Sequence, residues 1–160
     1  FIEDCQKYNK GVFIIDKTSN PSSGDLQDLT LENGEEVYTK VAKLVEEWGK
    51  DLRGKYGYSS ISTVVGATYP KQLQDLRKVA PHTFFLIPGY GAQGGKAEDI
   101  ALGFDENGIG GIINSARGLM CAYKSDLWKN TYEEKDFAKA TRAEAIRMRD
   151  ELNTAIEQKK

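Results

Sequence analysis

Thr83-Phe84-Phe85-Leu86-Ile87-Pro88-Gly89-Tyr90-Gly91-Ala92-Gln93-Gly94-Gly95-Lys96 is the stretch whose reading decides the fold. Phe84 to Ile87 is a short unbroken apolar run, as expected of a strand buried on both faces. Pro88 ends it, and Gly89, Gly91, Gly94 and Gly95 supply four positions where the backbone can take positive φ or approach a neighbour closely. Gln93 offers both a donor and an acceptor among them. A helical pattern then begins at Glu98. A strand, a glycine-rich loop and a helix in that order can aim backbone N–H groups at an anion such as phosphate. The alternative is a turn that needs glycine for shape alone.

The 160 residues suffice for one domain with its own core. With 22 basic and 24 acidic residues the net charge is −2, which gives no electrostatic reason to expect nucleic acid or an anionic membrane as partner. No apolar run approaches a membrane span, and no basic region with a hydrophobic core opens the chain, so the reading is a cytosolic protein. Cys5 and Cys121 lack metal-ligand or redox spacing and read as free thiols, and with a single histidine an ordinary four-ligand zinc centre is not expected. The chain opens on Phe1, and Ile2, Cys5 and Tyr8 at helical spacing read as the end of a helix within something longer.

Outward from the glycine loop, the same unit recurs. Val12 to Ile15 is a β-branched run that ends in Asp16, Lys17, Thr18, Ser19 and Asn20. A turn-rich loop continues to about Asn33, and a helix over 35–52 presents Val37, Val41, Leu44, Val45 and Trp48 on one face. After a linker over 53–60, Ser62 to Val65 is the second strand and ends in Gly66, Ala67 and Thr68. Pro70 opens a helix with Leu73, Leu76 and Val79, and Pro81 closes it. Ile112 and Ile113 form the fourth strand, ending in Asn114, Ser115, Ala116 and Arg117. A short helix follows, and a long charged helix over 133–158 closes the chain.

Four strand–helix units predict an α/β fold with a parallel sheet, functional residues lying at the C-terminal strand ends. Four units are half of a (β/α)8 TIM barrel, in which the loops after strands seven and eight commonly hold phosphate. Here the last two strands carry the glycine loop and Arg117, so the chain reads as strands 5 to 8.

Arg117 is suited to phosphate by its planar, permanently charged fork, although a solvated arginine at a helix start is the plain alternative. Thr18 and Ser19 could hydrogen-bond the edge of a polar ring or cap the following turn. Strand alternation puts Asp16 and Lys17 on opposite faces, with Lys17 read as a buried or snorkelling partner more readily than as a catalytic group. His82 lies at a strand start, away from a barrel active site, and reads as a surface residue. Glu133 to Asp136, Arg142, Glu144, Arg147, Arg149, Asp150 and Glu151 read as a solvated helix face. Neither a nucleophile triad, a metal cluster nor a carboxylate–lysine array on a strand end is expected.

Taken in series, Lys17-Thr18-Ser19-Asn20-Pro21, Ser22-Ser23-Gly24, Leu26-Gln27-Asp28-Leu29, Val65-Gly66-Ala67-Thr68, the run from Phe85 to Gly95 and Asn114-Ser115-Ala116-Arg117 resemble orotidine 5′-phosphate decarboxylase, in the second of its bacterial-type subfamilies. The resemblance covers most of the chain, and the glycine loop is its most specific element. It implies a cofactor-free (β/α)8 enzyme, usually a homodimer, that converts orotidine 5′-monophosphate to uridine 5′-monophosphate. It implies that Gln93 and Arg117, with Gly94 and Gly95, hold the substrate phosphate, that Thr18 and Ser19 lie against the pyrimidine, and that Pro88 lines the pocket.

The family's catalytic array alternates lysine and aspartate in a Lys-Arg-x-Asp-Ile-like motif, one aspartate coming from the partner subunit, and that motif is missing here. Residues 1–160 therefore read as the C-terminal half of a single barrel domain without its N-terminal half and without catalytic residues, inactive on its own. The rival reading is a non-catalytic half-barrel that binds a nucleotide phosphate. Either way, unpaired strand edges and an uncovered inner face predict self-association.

Overall fold

The computed structural model describes residues 1–91 and 94–160. In chain order its elements are α1 (Ile2–Tyr8), β1 (Val12–Lys17), α2 (Gly24–Gln27), α3 (Val37–Gly49), β2 (Ser59–Val65), α4 (Pro70–Val79), β3 (Thr83–Pro88), α5 (Ala97–Ala101), β4 (Gly111–Asn114), α6 (Ala116–Met120) and α7 (Phe137–Lys159). The strands form one parallel sheet in the order β1-β2-β3-β4, as the alternating pattern predicts. No helix among the described residues is long and apolar enough to cross a membrane.

One face of the sheet carries the core. Val65, Phe85 and Ile87 pack with Leu73 and Leu76 of α4, Ile100 of α5, Phe104, and Met148, Leu152 and Ile156 of α7. A smaller cluster of Cys5, Val45 and Ile61 secures α1 and α3 beside β1 and β2. The other face is open. Pairing aligns Ile15 with Val64, Val64 with Leu86 and Leu86 with Ile112, an apolar row across all four strands. At its ends Ile15 is 66% and Ile112 53% exposed. The expectation that β3 is buried on both faces is therefore corrected: burial alternates along it, and Phe84 and Leu86 are only half-buried. Helices cover one face of the sheet, which is the arrangement of half a (β/α)8 barrel seen without the half that would close it.

Two other expectations change. The segment 21–33 is not plain loop but a turn of helix at Pro21–Ser23 running into α2. On α3 the buried positions are Tyr38, Ala42, Val45 and Gly49, while Trp48 is exposed. The helix lies too close to β2 for a large residue there, since a Cβ on Gly49 would sit 2.2 Å from Ser59 Oγ. The small residues Ala42 and Gly49, and not Trp48, mark the face that packs.

At the N-terminal rim of the sheet, Arg77 holds the connections together. Its Nε donates to Gly103 O at 2.8 Å, Nη1 to Ala80 O and Thr83 O at 3.0 and 2.9 Å, and Nη2 to Gly110 O at 2.8 Å. The guanidinium stacks 3.7 Å from the centre of the Phe85 ring. Burial lowers its pKa to about 10, so it stays charged at neutral pH. One side chain thus joins the turn after α4, the segment after α5 and the approach to β4.

Arg77→Ala is expected to lower stability by about 3 kcal/mol, read by urea unfolding, because buried carbonyls lose a charged donor. The open face and the unpaired edges of β1 and β4 predict dimers or larger species by light scattering. Ile15→Lys with Ile112→Lys is expected to shift the chain toward monomer, and a monodisperse wild-type monomer would count against the open-face account.

Candidate functional site

The strand ends meet at the opposite rim. Along β1 the pairing runs from Ile15 with Val64 to Lys17 with Val65, passing over Asp16, so the strand carries one extra residue there. This irregularity overturns the simple alternation: Asp16 is 2% and Lys17 0% exposed. Lys17 Nζ donates to Asp28 at 2.8 Å and to Ser23 Oγ at 3.0 Å, and lies 4.6 Å from the centre of the Tyr69 ring. Its partners come from α2 and the starts of α3 and α4, which makes it the buried structural lysine favoured above. The Lys17–Asp28 ion pair does put a lysine and a carboxylate together at a strand end, which the sequence reading does not expect. Among the described residues neither Asp16 carboxylate oxygen has a hydrogen-bond partner. Burial pushes this carboxyl up to about 8, against the opposing pull of Lys17.

Thr18 is held by Gln27, whose side-chain oxygen accepts from Thr18 N at 3.0 Å and whose amide nitrogen donates to Thr18 Oγ1 at 3.2 Å. Thr18 Oγ1 also donates to Asn20 Oδ1 at 2.6 Å, so its hydroxyl serves the turn. Thr68 Oγ1 donates to Ser19 O at 3.2 Å, and a Cβ on Gly66 would lie 2.7 Å from Ser19 N. Gln27 enters the sequence reading within the Leu26–Leu29 run, without a role of its own; α2 folds it back onto Thr18, nine residues earlier.

The glycine loop is joined to the same rim. Ala67 N donates to Pro88 O at 2.8 Å, and Gly89, Gly91 and Gly94 take φ of 106°, 72° and 94°. A Cβ on Gly95 would meet Ala67 Cβ at 2.8 Å, so this glycine allows close approach instead. Gly91 N donates to Gly95 O, Gly94 N to Gly91 O and Gly95 N to Gly89 O, at 3.1, 2.8 and 3.2 Å. The expectation of free loop amides thus does not hold at these three glycines. Gln93, with Ala92, lies outside the described residues. The helix that follows, α5, spans only five residues.

At the end of β4, Ser115 Oγ donates to Tyr90 O at 2.9 Å, tying the glycine loop to the segment that carries Arg117. Arg117 is exposed, and its guanidinium has no hydrogen-bond or ion-pair partner among the described residues. The structure therefore brings Thr18, Ser19, Pro88, Gly94, Gly95 and Arg117 to one rim. The solvated-face reading of the last helix holds at Glu133, Glu134, Lys135, Arg142, Arg149 and Asp150, which are exposed, and is corrected at Glu144, buried against Trp128 and Arg147; the exposed Glu151 accepts from Tyr90. Spacings of three and four among 144, 147 and 151 were the available signal for a common face.

Residues 1–126 match the family described as Orotidine 5'-phosphate decarboxylase / HUMPS family. The chain is 44% identical over 156 residues to orotidine 5'-phosphate decarboxylase of Caldicellulosiruptor bescii, covering 98% of this chain and 49% of that protein. Against the protein of the same name from Clostridium tetani it is 45% identical over 159 residues, covering 99% of this chain and 53% of the relative. Leishmania donovani OMP decarboxylase superposes with a TM-score of 0.67 at 29% identity, over 94% of this chain and 50% of that one. The chain spans about half the length of the relatives it matches.

The buried Asp16 carboxyl generates a pH prediction. Its folded pKa, about 8, exceeds the 3.8 of an unperturbed group, so the folded state holds a proton that the unfolded chain releases first. This favourable contribution is complete below about pH 4 and is lost as pH rises toward 8. Thermal melts should show the midpoint falling by several degrees between pH 5 and 8, and Asp16→Asn should flatten that dependence.

Proposed function

The chain belongs to the orotidine 5′-phosphate decarboxylase / HUMPS family, and from that premise we propose that it is the phosphate- and pyrimidine-binding half of an orotidine 5′-monophosphate decarboxylase. The observation that carries this reading is the convergence at one rim of the glycine loop, the Thr18–Ser19 turn and the exposed Arg117 guanidinium, which has no partner among the described residues. Arg117 and Gln93 hold the phosphate in this reading. Gly94 and Gly95 let the backbone pass close to it, and Pro88, Thr18 and Ser19 border the pyrimidine.

In the reaction, the bond from C6 to the carboxylate breaks and carbon dioxide leaves. The electron pair stays on C6, and a lysine ammonium supplies the proton that makes uridine 5′-monophosphate. A carboxylate near the departing group and that lysine are preorganised charges, which carry most of such a rate enhancement. Binding energy at the distant phosphate serves to assemble the site. Lys17 is unsuited to the protonation, being enclosed with Asp28 and Ser23. The lysine–aspartate array belongs to the other half of a cytosolic homodimeric enzyme, and residues 1–160 are the C-terminal half of its barrel domain.

The second reading, a half-barrel that binds nucleotide phosphate without chemistry, is favoured by that same enclosure of Lys17. Loss of orotate absorbance on adding orotidine 5′-monophosphate separates the two, since turnover requires the array and the half-barrel alone gives none. Both readings predict that uridine 5′-monophosphate binds more tightly than uridine. Arg117→Ala should weaken the nucleotide about 10–100-fold and leave the nucleoside unchanged, as expected for a charge-assisted phosphate contact. Equal affinity of the wild-type chain for nucleotide and nucleoside would sink both.

A further inference from the structure

We propose that the contact between Tyr90 and Glu151 is a positioning device that holds the glycine loop against the Arg117 segment and thereby sets phosphate recognition. The inference rests on the phosphate reading of this rim. Tyr90 is the one aromatic side chain among the glycines of the loop, and it is buried. Its hydroxyl donates to Glu151 Oε2 at 2.8 Å, while its carbonyl accepts from Ser115 Oγ at 2.9 Å. A single residue thus fastens the loop to α7 on one side and to the start of α6, two residues before Arg117, on the other.

Glu151 is itself braced. Arg147 pairs with it and also donates to Glu144 through Nε and Nη2, each at 2.8 Å. Glu144 accepts from Trp128 Nε1 at 2.7 Å as well. Burial, with the hydrogen bond to Glu151, raises the Tyr90 phenol, so Tyr90 donates as a neutral hydroxyl, while the Arg147 hydrogen bond holds the neighbouring Glu144 carboxyl below its ordinary range. Loop glycines cost backbone entropy to order, and among the described residues Gly91, Gly94 and Gly95 are joined by main-chain bonds among themselves and Gly89. A charge-assisted anchor on a 23-residue helix supplies the rigidity that the loop's own composition denies it.

The geometry also makes the test clean. Removing the Tyr90 hydroxyl leaves Glu151 paired with Arg147, so no buried charge is orphaned and the ring still fills its place. Wild type, Tyr90→Phe, Glu151→Ala and Glu151→Gln are compared by amide exchange at Gly91, Gly94 and Gly95, and by titration with uridine 5′-monophosphate and with uridine. Tyr90→Phe and Glu151→Ala are each expected to speed exchange about tenfold and to weaken the nucleotide about five- to tenfold, with uridine unchanged. Glu151→Gln keeps an acceptor without its charge and should fall between wild type and Glu151→Ala, and the Tyr90→Phe/Glu151→Ala double variant should be no worse than either single one. A folded Tyr90→Phe with wild-type exchange and an unaltered nucleotide-to-nucleoside ratio overturns the proposal. A wild-type chain that does not prefer the nucleotide overturns the phosphate reading instead. The exchange rates then decide the loop anchor alone, faster exchange supporting it and unchanged exchange overturning it.

Discussion

In a parallel sheet all strands run the same way, so their C-terminal ends share one rim, and whatever polar groups follow them must be satisfied there. In this chain the first residues past the strands keep the sheet's hydrogen bonding going: Gly66 N donates to Lys17 O at 2.6 Å and Ala67 N to Pro88 O at 2.8 Å. Ser115 adds a side-chain bond to Tyr90 O in the same sense. The arrangement depends on missing side chains. A Cβ at Gly66 would run into Ser19, and one at Gly95 into Ala67. Four loops can therefore press together into a continuous surface, which is the precondition for any ligand to touch them all.

The two rims differ in how their charges are treated. At the N-terminal rim Arg77 has its donors engaged by main-chain carbonyls and its face covered by Phe85, so its chemistry is structural. Lys17, although at the C-terminal rim, is used the same way, enclosed with Asp28 and Ser23. Arg117 alone among these three cations stands exposed without an intramolecular partner among the described residues. An engaged guanidinium stabilises the fold, whereas an available one can bind an anion.

The apolar row from Ile15 through Val64 and Leu86 to Ile112 belongs to a different balance. Water meets hydrophobic side chains along a whole sheet face, which an ordinary finished domain would cover. Length points the same way, since the family relatives are about twice as long as this chain. The half-barrel is complete on its helical side, where Phe85, Leu73 and Ile156 pack, and incomplete on the side that would be a barrel interior.

Local chemistry made much of this legible without coordinates. Strand–helix alternation, Pro70 and Pro81 around α4, the β-branched start of β1 and the positive-φ glycines after β3 each act through nearest neighbours, so their readings needed no tertiary partner. That Thr18, Ser19, Pro88 and Arg117 share a rim was legible for the same reason, because residues that follow parallel strands have one end of the sheet to occupy. What stayed hidden depended on long-range contacts. The extra residue at Asp16 answers to the register with β2, the rotation of α3 to the close approach of Gly49 and Ser59, and the role of Glu151 to a tyrosine 61 residues earlier. The sequence by itself determined the four strands, the longer helices between them and the end of the sheet at which the residues following the strands gather. Only the tertiary structure decided which charges are buried, engaged or free, because burial is a property of what packs around a side chain and not of its neighbours in the chain.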